Sequence, residues 1–154
     1  MSLTITWQDL SFSKLTVDQL YDALKLRVDV FVVEQTCYYP ELDECDRHPQ
    51  TRHLLGYNGN DLAAYLRILP PGVSYPDYIS IGRVATKREY RGQGIGHPLM
   101  EKALALCKKH WSGVNIKISA QEHLEKYYNQ HGFVRVSDMY LEDNIPHIAM
   151  IKEV

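Results

Sequence analysis

Residues 53 to 69, "HLLGYNGNDLAAYLRIL", set two apolar runs on either side of Asn58-Gly59-Asn60-Asp61. Asn-Gly adopts the positive-φ conformations of a tight turn, so the flanking runs are expected to fold back as an antiparallel hairpin. Any sheet this chain builds must therefore be partly antiparallel. Helical patterns stand on both sides of the hairpin, which makes the class mixed α/β. Before it, Leu20, Leu24 and Phe31 recur at helical spacing after "TVDQ", where Thr16 and Gln19 fit a capping box. That helix is expected to break near Asp29 and to run out around Gln35. After the hairpin come the strand "YISIGRVAT", a helix marked by Ile95, Leu99, Ala103 and Leu106, and the alternating strand "VNIKIS". A short helix "QEHLEKYYNQH", stopped by Gly132, and strands around "FVRVSDMYL" and "HIAMIKE" close the chain. With "LTITW" as an opening strand, the order reads β-α-α-β-β-β-α-β-α-β-β.

The 154 residues suffice for one domain, 1–154, with a real core, and no repeat or Gly/Ser/Pro linker divides them. A net charge of −2 gives no reason to expect nucleic acid or an anionic membrane as partner. The start "MSLTITWQDL" lacks the basic segment and apolar run of a secretion signal, and no window has the length of a membrane span. Three cysteines, an odd count without a disulfide framework, fit reduced thiols and a cytoplasmic location. Charge is unevenly spread. Glu34, Glu41, Asp43, Glu44 and Asp46 precede the basic group Arg83, Lys87, Arg88 and Arg91.

"RVATKREYRGQGIGHPLM", residues 83 to 100, passes from a strand through closely spaced glycines into a helix. Such a turn offers unpaired N–H groups and the positive end of a helix dipole, which together form an anion site. A dinucleotide fingerprint requires G-x-G-x-x-G and a later acid. Gly92, Gly94 and Gly96 are spaced differently, and Ile116 stands where the acid belongs. A P-loop requires Lys and Ser or Thr after its last glycine, where this chain has His97-Pro98. Both readings fail.

The pattern R-x-x-G-x-G at Arg91–Gly96 resembles the acyl-CoA pyrophosphate loop of the GNAT superfamily of N-acetyltransferases. "QEHLEKYYNQHGF" is similar to that family's second cofactor segment, a Tyr four residues before Gly-Phe: here Tyr128 before Gly132-Phe133. "LRVDVFVVEQTCYYPELDECDRH", "IGRV" and "IPHIAM" extend the resemblance over nearly the whole chain, toward the ElaA-like branch. The resemblance implies a mixed, mostly antiparallel central sheet flanked by helices, with the fourth and fifth strands splayed around acetyl-CoA as cosubstrate. Val84, Ala85 and Thr86 would pair their backbone with the pantetheine arm. Arg91, Gly92, Gln93, Gly94, Ile95, Gly96 and His97 would surround the pyrophosphate, and Gln121, where the family usually has Asn, would bond the pantetheine end. Lys87 and Arg88 stand within reach of the ribose phosphate, or serve as surface charge.

The implied reaction is direct acyl transfer to a primary amine, on a small molecule or a peptide, with Tyr128 as the acid for the departing thiolate; the alternative is a core aromatic at Tyr128 with Tyr127 as its exposed neighbour. Backbone N–H near Val84 would hold the oxyanion. Glu34 is the first candidate for a general base, ahead of Glu142, Asp143 and His147. The acids at 41 to 46 point to a cationic acceptor. Pro98 disfavours a helical conformation at His97. A zinc site built from Cys37, Cys45, His48 and His53 is a rival reading with irregular spacing, and no metal is expected. A CoA-binding sensor without turnover is the alternative on the same fold. A homodimer is the default assembly.

Overall fold

The computed structural model describes residues 3–154; Met1 and Ser2, which open the segment read for a leader, lie outside them. The hairpin forms as β2 (Arg52–Asn58) and β3 (Asp61–Leu69), antiparallel around Gly59 at φ +62°. β1 (Thr6–Leu10) joins β2, and β4 (Ser80–Thr86) joins β3, so the sheet runs β1-β2-β3-β4. The opening strand starts at Thr6 rather than Leu3. Its ladder opposite Tyr57 to His53 is closed by an ion pair from Arg52 to Asp9 at 2.8 Å.

α1 (Val17–Arg27) starts on the expected capping box: Gln19 N–H donates to Thr16 Oγ1, and Thr16 N–H to Gln19 Oε1. It widens at the predicted break into a π-helical run, Val28–Glu34, in which Gln35 N–H reaches back to Val30. Such widening is frequent at functional sites, and here it directs Phe31, Glu34 and Gln35 into the cleft described below.

The second half contains α2 (Gly96–His110), β5 (Ile116–Gln121), α3 (Glu125–Asn129), β6 (Val134–Arg135), β7 (Tyr140–Glu142) and β8 (Ile145–Lys152). β8 pairs antiparallel with β5 on one side and with β6 and β7 on the other. "FVRVSDMYL" is thus two short strands and not one. Ser137 interrupts the ladder, because its hydroxyl accepts the Ala149 N–H that a strand carbonyl would otherwise take.

β4 and β5 meet only at their starts. Ile79 N–H donates to Asn115 and Lys117 N–H to Ile79, a single parallel bridge, after which the strands diverge. That splay opens the fold where the resemblance requires it. α2 and α3 cover one face of the sheets through Leu99, Met100, Ala103 and Tyr128 on Leu66, Ile68, Ile118 and Ile148. α1 covers the other through Ala23 and Leu26 on Leu55, Tyr57 and Tyr65. Strand alternation supplies both faces. Among the described residues no helix is long and apolar enough to cross a membrane.

Candidate active site

The splay opens a cleft of about 670 Å³, lined by Val84, Ala85 and Thr86 on β4, Gln121 at the end of β5 and Tyr128 on α3. A register shift on β3 between Tyr65 and Arg67 sets a bulge into β4, with Arg83 at φ +54°. A non-glycine residue in that region is uncommon, and no sequence signal announces it. From the bulge onward the side of β4 facing β5 has no strand partner, which suits a pantetheine arm laid along it. The Thr86 carbonyl is already occupied, accepting from Arg91 Nε at 3.0 Å.

Gly92 and Gly94 sit at φ +77° and +78°, with open space where a Cβ would stand. α2 then starts at Gly96 with no acid in its first turn and with Lys108, Lys109 and His110 in its last. Its free N–H groups and dipole suit a polyphosphate. His97 is helical, contrary to the expectation from Pro98. Pro98 lies in the first turn, where its missing N–H has no intrahelical acceptor in any case. Within the glycine turn, Arg91 and Gly96 line the cleft. Gln93, Gly94 and Ile95 line a separate hollow with Trp7 and Pro98. The Ile95 side chain is buried in the core, Gln93 donates to the Glu89 carbonyl, and His97 Nδ1 lies 2.9 Å from His131 Nε2. These three side chains turn away from the cleft, so what they offer a cofactor is backbone. Lys87 is tied to Asp61 at 2.6 Å.

Tyr128 is held from several sides. Phe133 N–H donates to the Tyr128 carbonyl and Gly132 N–H to Asn129, a Schellman stop that requires the φ of +90° at Gly132. The same stop brings Phe133 edge-on to the Tyr128 ring, 5.8 Å between centroids. The Tyr128 hydroxyl makes no hydrogen bond among the described residues. Burial pushes its pKa well above the usual tyrosine value, which keeps it protonated. Tyr127 is not the exposed neighbour expected: half-buried, it donates to the Gly96 carbonyl at 2.6 Å and locks α3 to the start of α2.

The other end of the cleft corrects two further expectations. Glu34 accepts from Arg91, and that hydrogen bond holds its carboxyl below the usual range, so it is a weak base. Of the acids at 41 to 46, all but the exposed Glu44 are tied to buried or half-buried arginines and not free to attract a cation. Arg27 donates to Glu41 and Asp46, Arg67 to Asp43 and Asp46, and Arg83 to Glu41, all between 2.6 and 3.2 Å. Arg27 is 1% exposed, and this network fastens the 36–50 loop to the sheet. His53 lies beneath it, bonded to Tyr65 Oη at 2.7 Å and the Asp46 carbonyl at 3.0 Å; burial lowers its pKa. Its ring is therefore committed away from Cys37, Cys45 and His48, and no group of three metal-ligating side chains occurs among the described residues. Across the mouth, Glu142, Asp143 and His147 line the cleft from β7, β8 and their turn.

Residues 27–154 match the family described as "Acetyltransferase (GNAT) domain". The chain is 44% identical over 150 residues to the protein ElaA of Escherichia coli strain K12, covering 97% of each. The crystal structure of Escherichia coli ElaA superposes with a TM-score of 0.92 over 97% of this chain and 100% of that one, at 43% identity. An acyl-CoA N-acyltransferase from Pseudomonas aeruginosa matches at TM-score 0.92 and 44% identity, over 97% of this chain and 99% of that one. With a family match over residues 27–154 and relatives covering 97% of the chain, the protein belongs to the GNAT acetyltransferase family, in its ElaA-like branch.

Proposed function

We propose that the protein transfers an acetyl group from acetyl-CoA directly to a primary amine, within a ternary complex. The family supports acyl transfer; the finer reading rests on the cleft. The free edge of β4 would take the pantetheine through Val84, Ala85 and Thr86, with Gln121 opposite. Arg91 and the backbone from Gly92 to His97 would hold the pyrophosphate. The cosubstrate supplies the activated thioester. The chain's own residues align it, exclude water and move protons: backbone N–H at the bulge for the oxyanion, Tyr128 for the leaving thiolate.

The observation that carries this reading is Tyr128: a hydroxyl lining the cleft, free of internal partners, held protonated by burial and rigid by the turn behind it. Cys107 is unsuited to a covalent route, being buried with its thiol pushed up to about 12 by burial. Free thiol released from acetyl-CoA across a panel of amines tests the proposal, with CoA titrated calorimetrically into wild type and Tyr128→Phe. The expected result is a fall in kcat of about 10²-fold, the lower end for a lost general acid, with CoA affinity within twofold. An unchanged kcat in Tyr128→Phe would overturn the assignment. Tight CoA binding with no turnover on any amine would favour the sensor reading. The enzyme is proposed to work in the cytoplasm.

A further inference from the structure

His147 is 7% exposed and lines the acceptor end of the cleft. Its Nδ1 lies 2.7 Å from the Ile145 carbonyl, an atom that only accepts, so Nδ1 carries the ring proton. In the neutral ring Nε2 is left with its lone pair. It makes no hydrogen bond among the described residues, and Glu142 Oε2 stands 3.5 Å from it. Tyr140 stacks on the ring at 6.3 Å between centroids and fixes its plane. His147 is also the direct cross-strand partner of Gln121, so both side chains rise from the same face of the β5–β8 pair.

The charges of the cleft isolate the same spot. Glu34 is matched by Arg91, Glu41 by Arg27 and Arg83, and Arg67 by Asp43 and Asp46. Glu142 and Asp143, also in the lining, have no lysine or arginine partner among the described residues. Ser119 Oγ donates to Glu142 Oε1 at 3.1 Å and orients the carboxylate. The acceptor end is therefore net negative, with an oriented carboxylate beside a buried, unpartnered imidazole nitrogen.

We infer that this is an ammonium-binding and deprotonation site: a cationic primary amine docks on Glu142 and gives its proton to Nε2 of His147. The inference rests on the acyl-transfer reading of the cleft and names its acceptor class. A nitrogen about 3 Å from both Oε2 and Nε2 makes both hydrogen bonds at once. One ammonium proton moves to Nε2, and the freed lone pair attacks the thioester carbonyl. As the C–N bond forms and the C–S bond breaks, Tyr128 gives its proton to the thiolate and regains one from the new amide nitrogen. The proton on His147, held opposite Glu142, leaves through the mouth, so ammonium and thioester become amide, thiol and one released proton.

Two variants separate the roles. His147→Asn keeps an N–H for the Ile145 carbonyl and removes the Nε2 lone pair; Glu142→Gln keeps the shape of the carboxylate and removes its charge. Binding is read first, independently of turnover, by titrating 2-phenylethylamine and the neutral 2-phenylethanol into CoA-bound protein and following the His147 imidazole ¹⁵N signal. The amine is expected to bind at least tenfold more tightly than the alcohol and to shift that signal, with the preference lost in Glu142→Gln. Equal affinities, or no shift with either probe, would overturn the site.

Turnover is read second, with the same amine. His147→Asn is expected to lower kcat/KM about 10²-fold near pH 7, as for a lost general base. The deficit should narrow as pH rises and the amine loses its proton unaided. Glu142→Gln should act mainly on KM, and CoA affinity should hold in both. The groups about the ring are Tyr140 and Glu142 from β7 and Gln121 from β5, while Ser119 holds Glu142 and Asp143 and Tyr75 line the same cleft. A His147→Asn enzyme within threefold of wild type at every pH would overturn the inference and leave the acetyltransferase reading standing. Selective ammonium binding without thiol release from wild type would do the reverse.

Discussion

Along β4 and the turn into α2, the wall of the cleft is made of backbone. Across the gap, in the 36–50 loop and at the β7–β8 turn, it is made of side chains. The first wall depends on conformations that few residues adopt, and its requirements fall close together in sequence: Gly92 and Gly94 within a few positions of a strand end. The second depends on pairings between distant residues, Arg27 with Asp46, Arg67 with Asp43 and Arg83 with Glu41. A backbone wall suits the cosubstrate proposed above, since it does not depend on which side chains stand there. A side-chain wall can be rewritten one pair at a time, and it is the place to look for acceptor specificity.

The largest effect should come from breaking the side-chain wall at its centre. Asp46 is 7% exposed and meets both Arg27 and Arg67, so Asp46→Asn leaves the buried Arg27 with only Glu41, a carboxylate it shares with Arg83. Removing one partner of a buried pair costs about 3–5 kcal/mol, and chemical denaturation should show a loss of that order. Asp43→Asn, at a more exposed pair, should cost less than half as much. The pH dependence follows with a definite sign. Burial alone would raise the Asp46 carboxyl above its usual 3.8, but hydrogen bonds and charge from Arg27 and Arg67 outweigh it, and the net shift is downward. Its stabilisation is complete above that unfolded value and is lost as pH falls through the lower folded one. His53, buried neutral with a lowered pKa, adds a slope that begins as pH drops below its unfolded value of 6.5. Wild type should therefore lose stability in two acid stages, and the lower one should shrink in Asp46→Asn, the remainder coming from Asp9, Asp43 and Asp61, which their partners also hold below the usual range. A variant as stable as wild type would mean that the loop is held by its apolar contacts alone.

What the sequence revealed divides along the same line. The hairpin, the capping box at Thr16, the Gly132 stop and the glycine turn are local rules, each readable from a few adjacent residues, and they carried the fold and the cofactor wall. The bulge at Arg83 is hidden because a left-handed arginine has no sequence signature. The ion network is hidden because spacing does not say which acid meets which base. The position of Glu34 at a helix end makes it a candidate base in the sequence, and only the fold brings it to Arg91. Ser137 breaks a strand whose apolar alternation reads as continuous. His147 and Glu142 were within reach of a sequence reading, but their contact needs the β7–β8 register.

The backbone wall is tested at Gly94. A Cβ there meets nothing in the protein, yet it must adopt φ +78°, so Gly94→Ala should cost about 1–2 kcal/mol of stability, the usual penalty for the left-handed conformation. On the proposed reading of the turn as the pyrophosphate site, the methyl group would also crowd phosphate oxygens approaching the backbone. CoA affinity by calorimetry should fall about tenfold, roughly 1.4 kcal/mol, while kcat at saturating acetyl-CoA stays within threefold. Unchanged affinity would show that the turn serves only the chain reversal.

The smallest effect belongs to the ion pair between the end of the π-helical run and the start of the glycine turn. Glu34 and Arg91 are each about one-third exposed, so solvent screens their attraction, and the pair contributes little to folding. Its consequence is competition: while Arg91 is bound to Glu34, its guanidinium is not wholly available to a pyrophosphate. Glu34→Gln should leave stability unchanged within error and tighten CoA binding by less than about threefold, and added salt should shrink the difference as it screens the pair. Because the Arg91 hydrogen bond makes Glu34 a poor proton acceptor, kcat should also stay within twofold of wild type across pH. A drop in kcat of two orders of magnitude would restore Glu34 as the base and displace His147 from that role. Unaltered kcat with slightly tighter CoA would leave proton transfer to the β7–β8 side and make the ion pair a weak restraint on Arg91, released when the phosphates arrive.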